Sequence, residues 1–185
     1  FEKIVTSAEK YSNFLRFDME SSLHINDTLR IYDHCFKEYS KVGIVLQAYL
    51  KRSISDINIL AKPGFNARIC KGIYKEDLSI AYTKKQDIQK NFLLIAKHMA
   101  LKGSHAGYAT HDQDLIDKLL KWIAADNIPK ELFEFQTLYG VPMNGRLEDL
   151  INKGHSVRVY VPFGPDWFDY SIRRLKENPD IAKYV

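Results

Sequence analysis

Short apolar segments alternate with amphipathic segments along nearly the whole chain, and this alternation constrains the fold more than any other feature. The apolar segments have the length of strands, and the segments between them repeat apolar residues every three or four positions, as one face of a helix does. Successive apolar segments begin roughly 20 to 40 residues apart, which suits a crossover helix between parallel strands. The sequence therefore predicts an α/β fold with a parallel sheet.

The apolar and amphipathic segments can be assigned individually. The predicted strands are Phe14–Asp18, Gly43–Gln47, Asn66–Lys71, Ser104–His111, a segment that begins at Glu134–Gln136, and Val157–Tyr160. The predicted helices are a segment starting at Phe1, then Asn26–Tyr39, Ser55–Ala61, Asp87–Leu101, Gln113–Ile123, Arg146–Asn152 and Trp167–Glu177. Asn26 or Asp27 is expected to cap its helix, because a side-chain oxygen there can accept from an unpaired backbone N–H.

The strands nearly all end in polar or reactive side chains. These are Asp18, Gln47, Arg68 with Lys71, Thr110 with His111, Gln136, and Tyr160. The carboxyl ends of parallel strands meet at one rim in a barrel and at one edge in a doubly wound sheet, and both places bind ligands. The chain has no GxGxxG or GxxxxGK[ST] loop, which disfavours the two nucleotide-binding sites that use those loops.

Six strands are too few to close a (β/α)8 barrel. Either the sheet is open, or two further strands precede Phe1, and the helical pattern at the very start favours the second alternative. We therefore expect residues 1–185 to form a (β/α)8 TIM-like catalytic barrel from which the first strands are missing, with about six of the eight strands and the final helix present.

Composition excludes several classes of protein. The chain has 45% apolar and 27% charged residues, as in ordinary globular proteins, and a net charge of +4 without a block of like charges. We expect no nucleic-acid partner and no membrane-spanning helix, because no apolar run approaches about 20 residues. Cys35 and Cys70 are interpreted as buried thiols, and no Cys/His spacing suits a metal site.

The predicted last helix carries the most suggestive group of side chains. Tyr170, Arg173, Arg174 and Glu177 are spaced three and four apart, so they share one face. Two neighbouring guanidinium groups can clamp one carboxylate, and the glutamate can balance a cationic amine on the same ligand, which together describe an amino-acid site. The alternative is a solvated helix face with an ordinary Arg–Glu pair.

Seven segments in order resemble the motifs of the proline dehydrogenase family. They are FDME at Phe17–Glu20, GIVLQAYLKR at Gly43–Arg52, RICKGIYKE at Arg68–Glu76, ATHD at Ala109–Asp112, FEFQTLYGV at Phe133–Val141, RVYVPFG at Arg158–Gly164 and YSIRRLKENPDIAKY at Tyr170–Tyr184. The resemblance implies a (β/α)8 barrel that binds FAD. It also implies oxidation of L-proline to 1-pyrroline-5-carboxylate by hydride transfer from C5 to the flavin N5, with electrons passed to a quinone or another acceptor.

The resemblance also implies roles for individual residues. Arg173 and Arg174 would hold the proline carboxylate, Glu177 would lie near the ring nitrogen, and Tyr74 and Tyr160 would pack against the ring. Asp18 would line the pocket and steady the arginine pair, and Arg68 would lie by the flavin N5; Asp18, Arg68 and Tyr160 are the predicted catalytic residues. The predicted FAD contacts are Met19, Val45, Gln47, Arg68, Lys71, Gly72, Ile73, Thr83, Lys85, Thr110, His111 and Gln136.

Simpler explanations stay open for several of these residues. Asp18 could cap a loop, Lys71 could be solvated, Tyr74 and Tyr160 could serve packing alone, and His111 could belong to the start of the helix at Asp112. The family's substrate-binding lysine on an earlier strand has no counterpart here, which again suggests a longer native chain. Two other functions also stay open: a flavin barrel of the methylenetetrahydrofolate reductase type, and a non-catalytic barrel module.

The expected location is the cytoplasm, since the chain shows neither an export signal nor a disulfide pattern. Electron transfer to a quinone would add at most peripheral contact with the inner membrane. A mitochondrial source stays open, because the sequence does not begin with methionine.

Overall fold

The computed structural model describes residues 1–169 and 172, and the chain divides into two compact units, Phe1–Tyr108 and Ala109–Val185. The first unit contains α1 (Glu2–Lys10), β1 (Leu15–Phe17), α2 (Ile25–Glu38), β2 (Val42–Gln47), α3 (Ser53–Leu60), β3 (Asn66–Cys70) and α4 (Lys85–Leu101). Strand β4 (His105–Ala109) ends at the border. The second unit contains α5 (Gln113–Ala125), β5 (Phe133–Leu138), α6 (Arg146–Asn152) and β6 (Val157–Tyr160).

The strands of the first unit pair in parallel and in chain order. Phe17 lies beside Ile44, Val45 beside Arg68, and Arg68 beside Gly107. Because neighbours in register point to the same side of a parallel sheet and side chains alternate along each strand, the sheet has two distinct faces. The predicted parallel α/β arrangement is confirmed.

One face of this sheet is apolar and packs against the helices. Ile44, Ile69 and Tyr108 lie on this face and are at most 1% exposed. The Tyr108 ring meets Phe92 of α4 with their centroids 6.3 Å apart. Burying an aliphatic or aromatic side chain of this size stabilises the fold by about 1.5–3 kcal/mol relative to leaving it in water. This layer fixes the strands on which the opposite, polar face is built.

The polar face is closed at the amino ends of the strands by a hydrogen-bond network. Arg16 Nη2 donates to Asn66 Oδ1 at 2.7 Å, and Asn66 Nδ2 lies 3.1 Å from His105 Nδ1. Gly43 makes room for it, since a Cβ there would lie 2.6 Å from the Asn66 carbonyl oxygen and 2.7 Å from Arg16 Nη1. The carboxyl ends of the same strands are therefore the place for a ligand site.

In the second unit, the two strands lie beside a cluster of aromatic rings. β5 and β6 are parallel, with Gln136 beside Arg158 and Leu138 beside Tyr160. The His155 ring packs against Phe133 and Phe135, with both centroid distances 5.6 Å.

Most predicted bounds agree with the structure to within two or three residues, and those of α6 and β6 agree fully. β1 is shorter than predicted, because its pairing with β2 ends at Phe17 and Asp18 leaves the strand. The predicted cap of α2 was wrong: the helix begins at Ile25 without a side-chain cap, and Asn26 Oδ1 accepts from Arg52 Nη2 at 2.8 Å instead.

Both cysteines are free: Cys35 is buried and Cys70 half-buried. The predicted last helix lies mostly beyond the described residues. Within residues 1–169, no helix has the length and apolar character needed to cross a membrane.

Candidate active site

In the first unit, the carboxyl ends of β1, β2 and β3 bring four of the predicted site residues to the polar face. Val45 and Arg68 are register partners, Gln47 lies two residues further along β2, and Asp18 follows the last residue of β1. Alternation along the strands places Val45, Gln47 and Arg68 on the same side of the sheet. Sequence separation between them reaches 50 residues, so the strand register alone makes them neighbours.

Asp18 and Arg68 form an ion pair. Arg68 Nη1 donates to Asp18 Oδ1 at 3.3 Å, with the arginine side chain 19% exposed and the aspartate side chain 63% exposed. A pair this open to solvent adds little to stability. A half-buried guanidinium at the strand ends can instead stabilise negative charge on a bound molecule, and the aspartate limits the orientations it can adopt.

Gln47 is buried, with 3% of its surface exposed. Its Nε2 donates a long hydrogen bond of 3.5 Å to the carbonyl oxygen of Met19, which is itself buried. Its Oε1 is buried without a hydrogen-bond partner among the described residues. A buried acceptor left unpaired costs about 1–3 kcal/mol, so this amide is suited to a ligand that offers an N–H group. The flavin ring system carries such a group, and the residues here therefore fit FAD.

The loop after β3 makes a close approach to the end of β2. Gly72 has a φ of +99°, and a Cβ there would lie 2.0 Å from Cδ1 of the Tyr49 ring. Only glycine satisfies both conditions, so the backbone at Gly72 can lie flat on Tyr49. Beside it, Lys71 is half-buried and Ile73 is 50% exposed. Tyr74 is half-buried, and its hydroxyl donates to the carboxylate of Glu20 in a short hydrogen bond.

Two further predicted FAD contacts lie at the start of α4. Thr83 is exposed in the loop before the helix, and Lys85 is exposed as its first residue. The backbone N–H of Tyr82 donates to the Tyr49 carbonyl oxygen at 2.7 Å, which ties this loop to the end of β2. Thr83 and Lys85 therefore follow directly on a segment anchored at the strand ends.

In the second unit, Thr110 and His111 follow β4. Thr110 is 6% exposed, and its Oγ1 accepts from the backbone N–H of Asp112 at 3.2 Å. His111 Nε2 accepts from the backbone N–H of Leu138 at 3.0 Å, which requires a ring nitrogen without a proton. A ligand contact by His111 would therefore use Nδ1 or the backbone.

Gln136 and Glu134 are buried and form a polar cluster with the exposed Arg158, which sequence reasoning missed. Its Nε2 donates to Glu134 Oε1 at 2.6 Å, and Arg158 grips the same carboxylate with Nε at 2.7 Å and Nη2 at 2.9 Å. Hydrogen bonding to Glu134 raises the pKa of Arg158. The Glu134 carboxylate therefore links Gln136 to Arg158. The alternation of Glu134 and Gln136 on one strand was the available signal.

Tyr160 ends β6 and is 41% exposed, on the same face as Gln136. The predicted substrate residues Arg173, Arg174 and Glu177 lie outside the described residues, as does Tyr170.

Sequence reasoning also missed Ser22 and Glu76. The two Glu76 carboxylate oxygens accept from the Ser22 backbone N–H at 2.7 Å and from the Ser22 hydroxyl at 2.6 Å. These hydrogen bonds lower the pKa of Glu76. No local pattern could have revealed a contact across 54 residues.

Comparison with known proteins shows the family to which the chain is similar. The family model described as proline dehydrogenase matches residues 1–185. Proline dehydrogenase 1 of Bacillus subtilis (strain 168) is 39% identical over 182 residues, which cover 98% of this chain and 60% of that protein. The proline dehydrogenase of Deinococcus radiodurans is 36% identical over 185 residues, or 99% of this chain and 59% of that protein. The chain thus spans about three fifths of the length of these relatives.

Solved structures with a similar fold are proline utilization A proteins. The Bdellovibrio bacteriovorus protein, inactivated by N-propargylglycine, matches with a TM-score of 0.85 and 27% identity. The match covers 95% of this chain and 21% of the Bdellovibrio chain. The Bradyrhizobium japonicum mutant D779Y matches with a TM-score of 0.78 and 23% identity, over 96% of this chain and 21% of the Bradyrhizobium chain. At this identity, the match supports a similar fold and nothing further. Together with the alternation of helices and parallel strands, these matches confirm the predicted fold class, part of a (β/α)8 barrel.

Proposed function

The chain belongs to the proline dehydrogenase family, and from this premise we propose that the full-length protein oxidises L-proline to 1-pyrroline-5-carboxylate with FAD as its bound cofactor. The observation that carries the proposal is that Arg68 and Gln47 lie on one face at the strand ends, where the buried Gln47 Oε1 has no hydrogen-bond partner among the described residues. Family membership favours this function over the methylenetetrahydrofolate reductase alternative.

The residues proposed to hold FAD are those that the family resemblance implies. They are Met19, Val45, Gln47, Arg68, Lys71, Gly72, Ile73, Thr83, Lys85, Thr110, His111 and Gln136. FAD supplies the redox chemistry when bound, by accepting at N5 the hydride that leaves C5 of proline. The chain supplies position, exclusion of water and charge. Arg68 would supply a cation beside the part of the flavin that gains negative charge on reduction, and its hydrogen bond to Asp18 would restrict the orientation of that cation.

The substrate contacts are proposed from the family resemblance. Arg173 and Arg174 would clamp the proline carboxylate, and Glu177 would lie near the ring nitrogen, which loses its proton as C5 gives up the hydride. Tyr74 and Tyr160 would pack against the ring. The two electrons would then pass to a quinone or another acceptor, so that contact with a membrane is needed only at its surface.

Anaerobic addition of L-proline to the purified full-length holoenzyme tests the proposal. The account expects loss of the absorbance of the oxidised flavin with L-proline, and little change with glycine or hydroxyproline as matched controls. A protein that binds no flavin, with neither flavin absorbance nor a gain in melting temperature on addition of FAD, would be a non-catalytic barrel module.

The carboxylate clamp has its own test in Arg174→Met. This variant should raise the KM for proline strongly while flavin content stays unchanged, because it removes binding energy for the substrate alone. Lys176→Met is the matched control, since it removes a neighbouring positive charge in the same segment. An unchanged KM in Arg174→Met, or an equal rise in both variants, would refute the clamp.

A further inference from the structure

Three side-chain bridges connect the segment after β1 with β3 and the loop that follows it. They are Asp18–Arg68 at 3.3 Å, the short Glu20–Tyr74 hydrogen bond, and the pair of hydrogen bonds from Ser22 to Glu76 at 2.7 and 2.6 Å. β2 lies between β1 and β3 in the sheet. The bridges therefore join the two segments across the carboxyl end of β2, where Gln47 and Tyr49 lie, and we call them the rim clasp.

The Ser22–Glu76 bridge is the best formed of the three. Glu76 uses both carboxylate oxygens on one residue, which fixes direction as well as distance. Ser22 opens the short 3-10 helix Ser22–His24 that leads into α2, so its backbone N–H has no partner within the helix. A carboxylate is a favourable partner for such an N–H group. Glu76 is thereby tied to the start of this short helix.

The loop between Arg68 and Glu76 is held at both ends and supported in the middle. Arg68 belongs to β3, Glu76 is tied to Ser22, and Gly72 lies on the Tyr49 ring. Tyr74 lies only two residues before Glu76, and its ring position depends on the backbone between these fixed points. The hydroxyl bond to Glu20 holds the far end of the same side chain.

We propose that Glu76 is a positioning residue for proline binding, and that it acts through Tyr74 by closing the rim clasp on Ser22. This inference rests on the proposed function, in which the Tyr74 ring packs against the substrate. Loss of the Ser22–Glu76 bridge frees the backbone that carries Tyr74 and weakens packing on the bound ring. Such packing is the same in the ground state and the transition state, so KM rises while kcat stays near its original value.

The test uses the full-length holoenzyme and three variants that remove increasing parts of the bridge: Ser22→Ala, Glu76→Gln and Glu76→Ala. KM for proline should rise in that order, to roughly tenfold in Glu76→Ala, which is the size expected for a lost charge-assisted bond. Asp77→Asn is the matched control, because this neighbouring carboxylate is exposed and accepts a local hydrogen bond from the Ser79 backbone N–H at 2.7 Å. Its KM should stay at the wild-type value.

A double-mutant cycle separates positioning from a general structural role. In a Tyr74→Ala background, Glu76→Ala should raise KM no further, because the residue through which it acts is gone. Equal effects of Glu76→Ala with and without Tyr74, or an unchanged KM in every bridge variant, would overturn the inference. Wild-type protein that does not oxidise proline would instead overturn the proposed function. If Glu76→Ala does not fold, Glu76→Gln and Ser22→Ala carry the same cycle.

Discussion

Replacing Gly72 by alanine perturbs the candidate site in two separable ways. The backbone φ of +99° is one that residues with a side chain rarely adopt, and the new Cβ would lie 2.0 Å from Tyr49 Cδ1. Gly64 offers a matched control in the same unit, since it has a φ of +86° and no atom of the described part of the chain lies within 4 Å of the corresponding Cβ position. Gly64→Ala therefore introduces backbone strain without the collision.

The two contributions can be given magnitudes. A non-glycine residue held in a sparsely populated backbone region costs about 1–3 kcal/mol. Forcing an extra carbon into a packed site costs a further 1–3 kcal/mol or so. Gly64→Ala should therefore lower the free energy of unfolding by about 1–3 kcal/mol, and Gly72→Ala by roughly 2–6 kcal/mol. The larger loss arises because Tyr49 is buried, at 6% exposed, and has little room to move.

Urea unfolding of both variants in the full-length protein measures the difference. Adding Tyr49→Leu to Gly72→Ala should restore part of the stability lost to the collision and none of the stability lost to backbone strain. Equal losses in Gly64→Ala and Gly72→Ala would refute the close approach of the loop to the Tyr49 ring, as would a loss in Gly72→Ala unaffected by Tyr49→Leu.

Three further predictions concern polar side chains. Burial lowers the pKa of His155, so the imidazole binds a proton more readily in the unfolded chain than in the folded one. The contribution of His155 to stability is therefore present above about pH 6.5 and lost as pH falls. In urea titrations, His155→Gln should reduce this loss of stability between pH 8 and pH 5. Asn91→Ala should destabilise the protein by about 2–3 kcal/mol in thermal unfolding. Nδ2 of Asn91 donates to the carbonyl oxygens of the buried residues Ala48 and Leu50 at 2.7 and 3.2 Å, and the substitution leaves both without this donor. A destabilisation below about 0.5 kcal/mol would contradict the importance of these hydrogen bonds. Arg158→Met should weaken FAD binding roughly tenfold in flavin fluorescence titrations. The reason is that Glu134 would lose its bidentate partner, and Gln136 would lose its fixed orientation. An unchanged affinity for FAD would contradict a role of this cluster in cofactor binding.

Periodicity was sufficient to predict the helices and strands, because each is specified by residues near one another in the chain. α6 and β6 illustrate this, since both bounds of each follow from local patterns. The cap of α2 was predicted wrongly because the helix begins at Ile25, which places Asn26 within its first turn. The Asn26 side-chain oxygen accepts instead from Arg52 in the loop after β2.

The candidate site could be predicted only in part. Polar strand ends indicated Asp18, Gln47 and Arg68, and the structure places Asp18 against Arg68. The partners of these residues depend on strand register and loop paths, which no local pattern fixes. For that reason Glu76 and Arg158 were recognised only as parts of motifs, although each makes a two-point hydrogen-bonded contact.

The amount of 1-pyrroline-5-carboxylate formed in one anaerobic turnover tests the central claim most directly. Full-length enzyme with its flavin oxidised would be mixed with excess L-proline in the absence of any acceptor, and the product trapped and counted against flavin reduced. The account predicts one product molecule for each flavin, because a single hydride and a single proton leave each proline. Reduced flavin without this product, or flavin that stays oxidised while L-proline is bound, would contradict it.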